Sequence, residues 1–334
     1  MKKWIKRVAI FIGSFFLCVA IALFFLARKE KPTAITYGIS YNVPYVLELG
    51  LDPDKVFDAF LNDLGVRNLR MSAHWQLIEP TRNQFDFTWM DTDMEKAEKA
   101  GAHVIFGVGR RLPRWPECHV PLWAKSLTWE EQKEELREYI KAVVLRYKDS
   151  PAITHWQVEN EPYLGLFAHD YCGDLDETFL EEEIALVKSL DGTRPVLVTD
   201  SGNLGTWKGA YTHGDSFGTS VYVYFWNPEL GQFKTILPPW FYRAKEKILA
   251  LLYEEKETML IELSLEPWLL EPVAQVPVEV QYSRMDIGKF NEIIEYAEAT
   301  RYEKQYLWGG EWWFWLRERG HAEMWNRGKE LFNK

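Results

Sequence analysis

The sequence holds little of what most active-site chemistries announce themselves with. It has three cysteines in 334 residues, too few for a scaffold built on disulfides. Its seven histidines fall at no metal-ligand spacing, so neither a metal nor any other cofactor is expected. No glycine-rich nucleotide loop follows the first strand-like segment, and the fragment "GVGRR" beginning at Gly107 is in the wrong place for one. A serine nucleophile elbow is not expected either. Positive charge is not in excess. The formal net charge of −10 argues against a nucleic-acid partner, whose phosphates would be repelled.

Aromatic residues are abundant instead, with 16 Trp, 16 Tyr and 19 Phe. A hydrophobic content of 47% allows a large core. Tryptophan also lines sites where flat, partly apolar ligands such as sugar rings stack.

The N-terminus differs from the rest. Residues 1–7, "MKKWIKR", are basic, and the chain is then uncharged from Val8 to Ala27, long enough to span a bilayer core as a helix. A cleaved signal peptide is the competing reading. The run is long for one and ends in "FFLARKE" without a small-x-small site, which favours an uncleaved signal-anchor over 8–27. Lys2, Lys3, Lys6 and Arg7 outweigh Arg28, Glu30 and the lysines beside it, placing the tail in the cytoplasm. A linker over 28–34 and a catalytic domain over 35–334 would then lie outside the cytoplasm, with the membrane a partner through the N-terminal helix. Nothing in the sequence sets the oligomeric state.

From Ile35 onward strand-like and helix-like segments alternate. The strand-like runs are "ITYGIS", "VRNLRMSAHW", "HVIFGVG", "ITHWQVENEP", "RPVLVTDSG", "FGTSVYVYF", "TMLIELSLEPW" and "QYLWGGEWWFW". Each precedes a segment with apolar residues at three- and four-residue spacing. The strands are near-continuous apolar runs, as buried parallel strands should be. Eight such units predict an α/β fold, a (β/α)8 TIM barrel, preceded by one transmembrane helix.

In a barrel the carboxyl ends of the strands carry function. Strand two delivers Arg70 and Trp75 there, strand four Asn160 and Glu161, and strand six Tyr222 and Tyr224. Strand seven delivers Glu262 and Glu266, and strand eight Trp308 and Glu311. Strands four and seven face each other across the mouth, so two carboxylates there can flank one bound group. Retaining glycosidases need such a pair about 5–5.5 Å apart. Cys118 and Cys172 fall in the loops after strands three and four, adjacent and on one face, so they are expected to pair and pin the rim of the cleft.

"NEP" at the end of strand four, with a Glu in "LIEL" at strand seven, resembles the clan-A glycoside hydrolases, the cellulase-like barrels that include families five, thirty-nine and forty-two. "RMSAHWQLIEPTRNQFDFTWMD" is similar to the strand-two region of that clan. The resemblance implies a retaining hydrolase of β-linked sugars in an oligo- or polysaccharide. Glu161 would be the acid/base, Glu262 the nucleophile and Asn160 the partner of the sugar 2-hydroxyl. Arg70 would hold Glu262 ionised, Tyr222 or Tyr224 would donate to it, and Trp308 would lie under the sugar. The sequence departs from the clan where Leu263 follows Glu262 and where Glu266 offers a rival carboxylate. A carbohydrate-binding pseudoenzyme displayed on the membrane is the alternative of a different class. Glu159 is expected to pair with an arginine, and Glu79 to fix its loop.

Overall fold

Segments such as Val104–Val108 and Met259–Leu263 are apolar at nearly every position, so neither face of the strand they form can be left in water. The computed structural model describes residues 32–333 continuously and only scattered positions before them. Its strands in chain order are β1 (Thr36–Ser40), β2 (Asn68–Ser72), β3 (His103–Val108), β4 (Ile153–Val158), β5 (Val196–Asp200), β6 (Ser216–Val221), β7 (Tyr224–Asn227), β8 (Gly231–Lys234), β9 (Thr258–Ser264) and β10 (Lys304–Trp308). Eight of them close a barrel in the order β1-β10-β9-β6-β5-β4-β3-β2, every neighbouring pair parallel. This is a (β/α)8 barrel, with β9 and β10 as its seventh and eighth strands.

Two apolar clusters hold it. Ile105, Leu197, Met259, Ile261 and Tyr306 fill the barrel interior. A far larger cluster lies between the strands and the surrounding helices. Gly38 makes the interior packing possible, because a Cβ there would come within 2.5 Å of the Tyr306 ring. The helices start where the sequence supplies side-chain acceptors for free N–H groups. Asp52, Asp176 and Asp286 cap three of them, and Thr128 forms a reciprocal box with Glu131 at the head of helix Trp129–Tyr147.

Among the described residues no helix is long and apolar enough to cross a membrane. Most of the run 8–27, on which the expected anchor rests, lies outside the described residues, as does most of the tail and of the linker.

Two local expectations are corrected, and one motif in the sequence is placed. "FGTSVYVYF" is not one strand: β6 stops at Val221, and Tyr224 opens an antiparallel hairpin of β7 with β8 beside the mouth. "QYLWGGEWWFW" is not one strand either. Gly309 turns the chain at φ 111°, and Gly310–Arg317 is helical, so Glu311 belongs to a first helical turn. Finally, Gly214–Gly218 does spell Gly-x-Ser-x-Gly. Ser216, however, is the first residue of β6, buried at the amino end of the barrel, whereas a nucleophile elbow needs its serine on the turn after a strand.

Candidate active site

β4 ends by leaving extended geometry abruptly. Glu159 and Glu161 adopt φ of 57° and 44°, the left-handed region that costs a non-glycine residue about 1–2 kcal/mol. Hydrogen bonds enforce it. The Glu159 carboxylate accepts the backbone N–H groups of Arg110 and Arg111, both at 2.6 Å, and Gly109 leaves room for it, since a Cβ there would lie 2.3 Å from the carboxylate. The N–H of Asn160 donates to the Arg111 carbonyl at 2.7 Å, and that of Glu161 donates to Thr199 Oγ1 on β5 at 2.8 Å. Glu159 thus serves as an anchor beneath the mouth. It holds backbone N–H groups and a hydrogen bond with the Glu183 carboxyl, where pairing with an arginine side chain was expected. Burial pushes the proton affinity of Glu159 up, and that of Glu183 well up.

Glu161 is buried, and its Oε1 has no hydrogen-bond partner. Burial, then the negative charges of Glu262 and Glu117, raise its pKa well above the carboxylate range, against the Ser220 hydroxyl, which acts the other way. Glu262, also buried, sits differently. Arg70 Nη1 donates to its Oε2 at 2.9 Å, and the Tyr222 hydroxyl donates to its Oε1. Arg70 continues through Nε to Gln157 at 2.8 Å and through Nη2 to Asn160 Oδ1 at 2.7 Å. One guanidinium therefore joins the ends of β2, β4 and β9. The two acids thus sit in unlike surroundings: burial and the nearby charge of Glu262 raise the proton affinity of Glu161, while Glu262 is ion-paired with Arg70.

The other expected residues divide. Tyr222 reaches Glu262, while Tyr224, carried off by the hairpin, donates to Glu292. Glu266 is engaged by Arg114 Nη1 at 2.5 Å and by Trp308 Nε1 at 2.8 Å, and the Arg114 guanidinium lies 3.1 Å over the Tyr45 ring. Trp308 is mostly covered, 7% exposed, at the edge of this group. Trp75 does not face the hollow. It is fully buried and donates to Glu79 at 2.8 Å, and Glu79 also accepts the Asn83 N–H at 2.7 Å. Glu311 accepts the Asn42 N–H at 2.7 Å, tying helix Gly310–Arg317 to the segment after β1, and burial pushes its pKa to about 8. Cys118 and Cys172 are bonded, with Cα atoms 5.5 Å apart.

Two acids near the pair escaped the sequence reading. Asp200, at the end of β5, accepts from the N–H groups of Ser201 and Trp207 at 2.8 and 2.7 Å. Glu117, in the loop after β3, accepts from Arg111 Nε at 2.6 Å. The place of Asp200 was legible, since it closes an apolar strand. Glu117 lies in an irregular loop that no periodicity marks. Among the described residues no group of three or more His, Cys, Asp or Glu side chains is arranged to hold a metal ion.

A closed parallel barrel with acids gathered at the carboxyl ends of its strands is the layout of a (β/α)8-barrel enzyme. The comparisons narrow it. Residues 49–165 match the model of Glycosyl hydrolase family 10, and residues 125–261 match that of the family 42 Beta-galactosidase. Glu161 falls within both. A Beta-galactosidase from Arthrobacter sp is 25% identical over 202 residues, covering 54% of this chain and 25% of that protein. A Probable mannan endo-1,4-beta-mannosidase F from Emericella nidulans is 28% identical over 160 residues, 42% of this chain and 34% of that one. The chain spans about a quarter of the length of the first of these relatives. Among solved structures, the cold-adapted beta-galactosidase from Rahnella sp. superposes with a TM-score of 0.56 at 13% identity, covering 91% of this chain and 56% of that one. Xylanase 10B from Thermotoga petrophila gives 0.53 at 16% identity, covering 86% and 84%. The chain has the (β/α)8 fold of the clan-A glycoside hydrolases.

Proposed function

We propose that the protein is a retaining glycosidase that hydrolyses β-linked O-glycosidic bonds of an oligo- or polysaccharide. The observation that carries the reading is the unlike surroundings of two strand-end acids. Burial and like charge raise the proton affinity of Glu161, and Glu262 is paired with Arg70 and Tyr222. In the first step the Glu262 carboxylate attacks the anomeric carbon while the Glu161 proton passes to the departing oxygen. In the second, the Glu161 carboxylate takes a proton from water, whose oxygen attacks the same carbon and releases Glu262. Asn160 turns its carbonyl oxygen to Arg70, leaving its amide N–H groups for the sugar 2-hydroxyl. The charge of Glu262 is the largest one acting on Glu161, which favours Glu262 over Glu266 as the nucleophile. The names of the relatives, galactosidases and mannanases among them, support a β-linked sugar.

The basic, then apolar, N-terminus supports a membrane-anchored protein with the barrel outside the cytoplasm, and the disulfide suits such a compartment. Mass spectrometry of the mature N-terminus tests the anchor. The hydrolase reading is tested with an activated aryl glycoside panel, following the product anomer by NMR. Glu161→Gln and Glu262→Gln should each reduce turnover by about 100-fold or more, and the first-formed sugar should keep the substrate's configuration. Inversion would overturn the double displacement, and binding without turnover across the panel would favour the pseudoenzyme.

A further inference from the structure

Glu117 stands beside the proposed pair in a loop built to hold it. Its N–H donates to the Arg114 carbonyl at 2.7 Å, and its carbonyl accepts the Leu112 N–H at 2.9 Å. The next residue, Cys118, bridges Arg111 in antiparallel fashion and carries the disulfide. Its φ of 68° is a value a glutamate keeps only where its surroundings enforce it. Arg111 donates to the carboxylate through Nε, reaches the Leu164 carbonyl through Nη1 at 2.9 Å, and accepts the Asn160 N–H on its own carbonyl. One arginine thus ties Glu117 to the strand end that carries Asn160 and Glu161.

The Glu117 side chain stays 20% exposed, and its charge acts on Glu161, Glu262 and Tyr222. It therefore lies within electrostatic reach of the proposed pair, whose buried Glu161 Oε1 has no hydrogen-bond partner. Burial raises the proton affinity of Glu117 and the Arg111 charge opposes this; as a carboxylate its two oxygens offer about four acceptor positions, of which Arg111 takes one. A sugar hydroxyl is the donor such a group fits. Arg70, Arg111 and Arg114 already have glutamate partners at 2.9, 2.6 and 2.5 Å, so a carboxylate on the substrate would meet like charge.

Resting on the glycosidase reading, the geometry points to Glu117 as a specificity residue that accepts a hydrogen bond from a hydroxyl of a neutral sugar and turns away sugars bearing a carboxylate. The test uses the full chain and Glu117→Gln, which keeps the shape and an acceptor for Arg111. The substrates are a parent aryl β-glycoside of a neutral sugar, its monodeoxy analogues, and the matching uronide. The variant should lose about 10- to 100-fold in kcat/KM on the parent, with KM carrying the larger share. One deoxy analogue should be hydrolysed equally well by both proteins, and the preference of the wild type for the parent over the uronide should narrow in the variant. Unchanged kinetics on the parent, or an equal loss on every analogue, would overturn the inference. If the wild type hydrolyses none of the panel, the glycosidase reading fails by itself. Tryptophan-fluorescence titration with the parent sugar then decides on Glu117: weaker binding by the variant sustains its role, and equal Kd values end it.

Discussion

Arg70 and Glu262 form a buried ion pair across the barrel mouth, Nη1 to Oε2 at 2.9 Å, with side-chain exposures of 1% and 7%. Replacing Arg70 by Met leaves Glu262 as an unmatched buried charge and frees Gln157 and Asn160. Breaking such a pair costs about 3–5 kcal/mol. Urea denaturation at neutral pH should show a loss of that order for Arg70→Met, with a smaller loss for Arg70→Lys. Activity should fall in both, because lysine lacks the fork that reaches three partners.

The two tyrosines after β6 offer a paired test. Tyr222→Phe removes a donor to Glu262 and should lower kcat by about 10- to 100-fold with the fold intact. Tyr224→Phe removes a bond to Glu292 on helix Ile287–Thr300 and should change kcat by less than about 3-fold. Equal effects would contradict the geometry.

The raised pKa of Glu161 has consequences for both rate and stability. Activity should persist above the usual carboxylate range and fall as Glu161 loses its proton, giving the alkaline limb of kcat/KM. The native state holds this proton more tightly than the unfolded chain, whose glutamates titrate near about 4.3. Stability is therefore full below that value and falls as pH rises toward the folded pKa, by up to about 1.4 kcal/mol per pH unit. Glu161→Gln should raise Tm relative to the wild type, by a margin that grows with pH across that window and then levels off. Thermal melts in a pH series measure it.

The Cys118–Cys172 bond closes a sequence separation of 54 residues. Loop-closure entropy for that length corresponds to about 4 kcal/mol. The double Cys→Ser variant should lose about 2–4 kcal/mol in urea denaturation, and KM should rise, since the bond anchors the loop that carries Glu117.

Strand periodicity made the barrel legible in the sequence, and strand ends made legible which polar residues its mouth gathers. Each of the eight apolar runs overlaps one barrel strand, and Arg70, Asn160, Glu161, Tyr222 and Glu262 gather at one mouth. What stayed hidden depends on backbone departures that no periodicity encodes. Tyr222 and Tyr224 looked equivalent until a hairpin carried the second away. Glu311 seemed to end a strand until Gly309 turned the chain into a helix. Trp75 resembled a subsite residue because position along a strand says nothing about which way a short helix then packs its ring. Glu117 depends on a loop whose shape comes from its own hydrogen bonds and a distant cysteine.

The left-handed backbone at residue 161 places the protein in conflict with any selection for robustness alone. Glycine, asparagine or aspartate would relax that position, and a neutral residue there would also relieve a buried acid. A laboratory lineage screened only for survival of heat should accumulate such a replacement at this site early, and it would emerge hardier and chemically mute. The bend that closes β4 would then record whether turnover had been under selection.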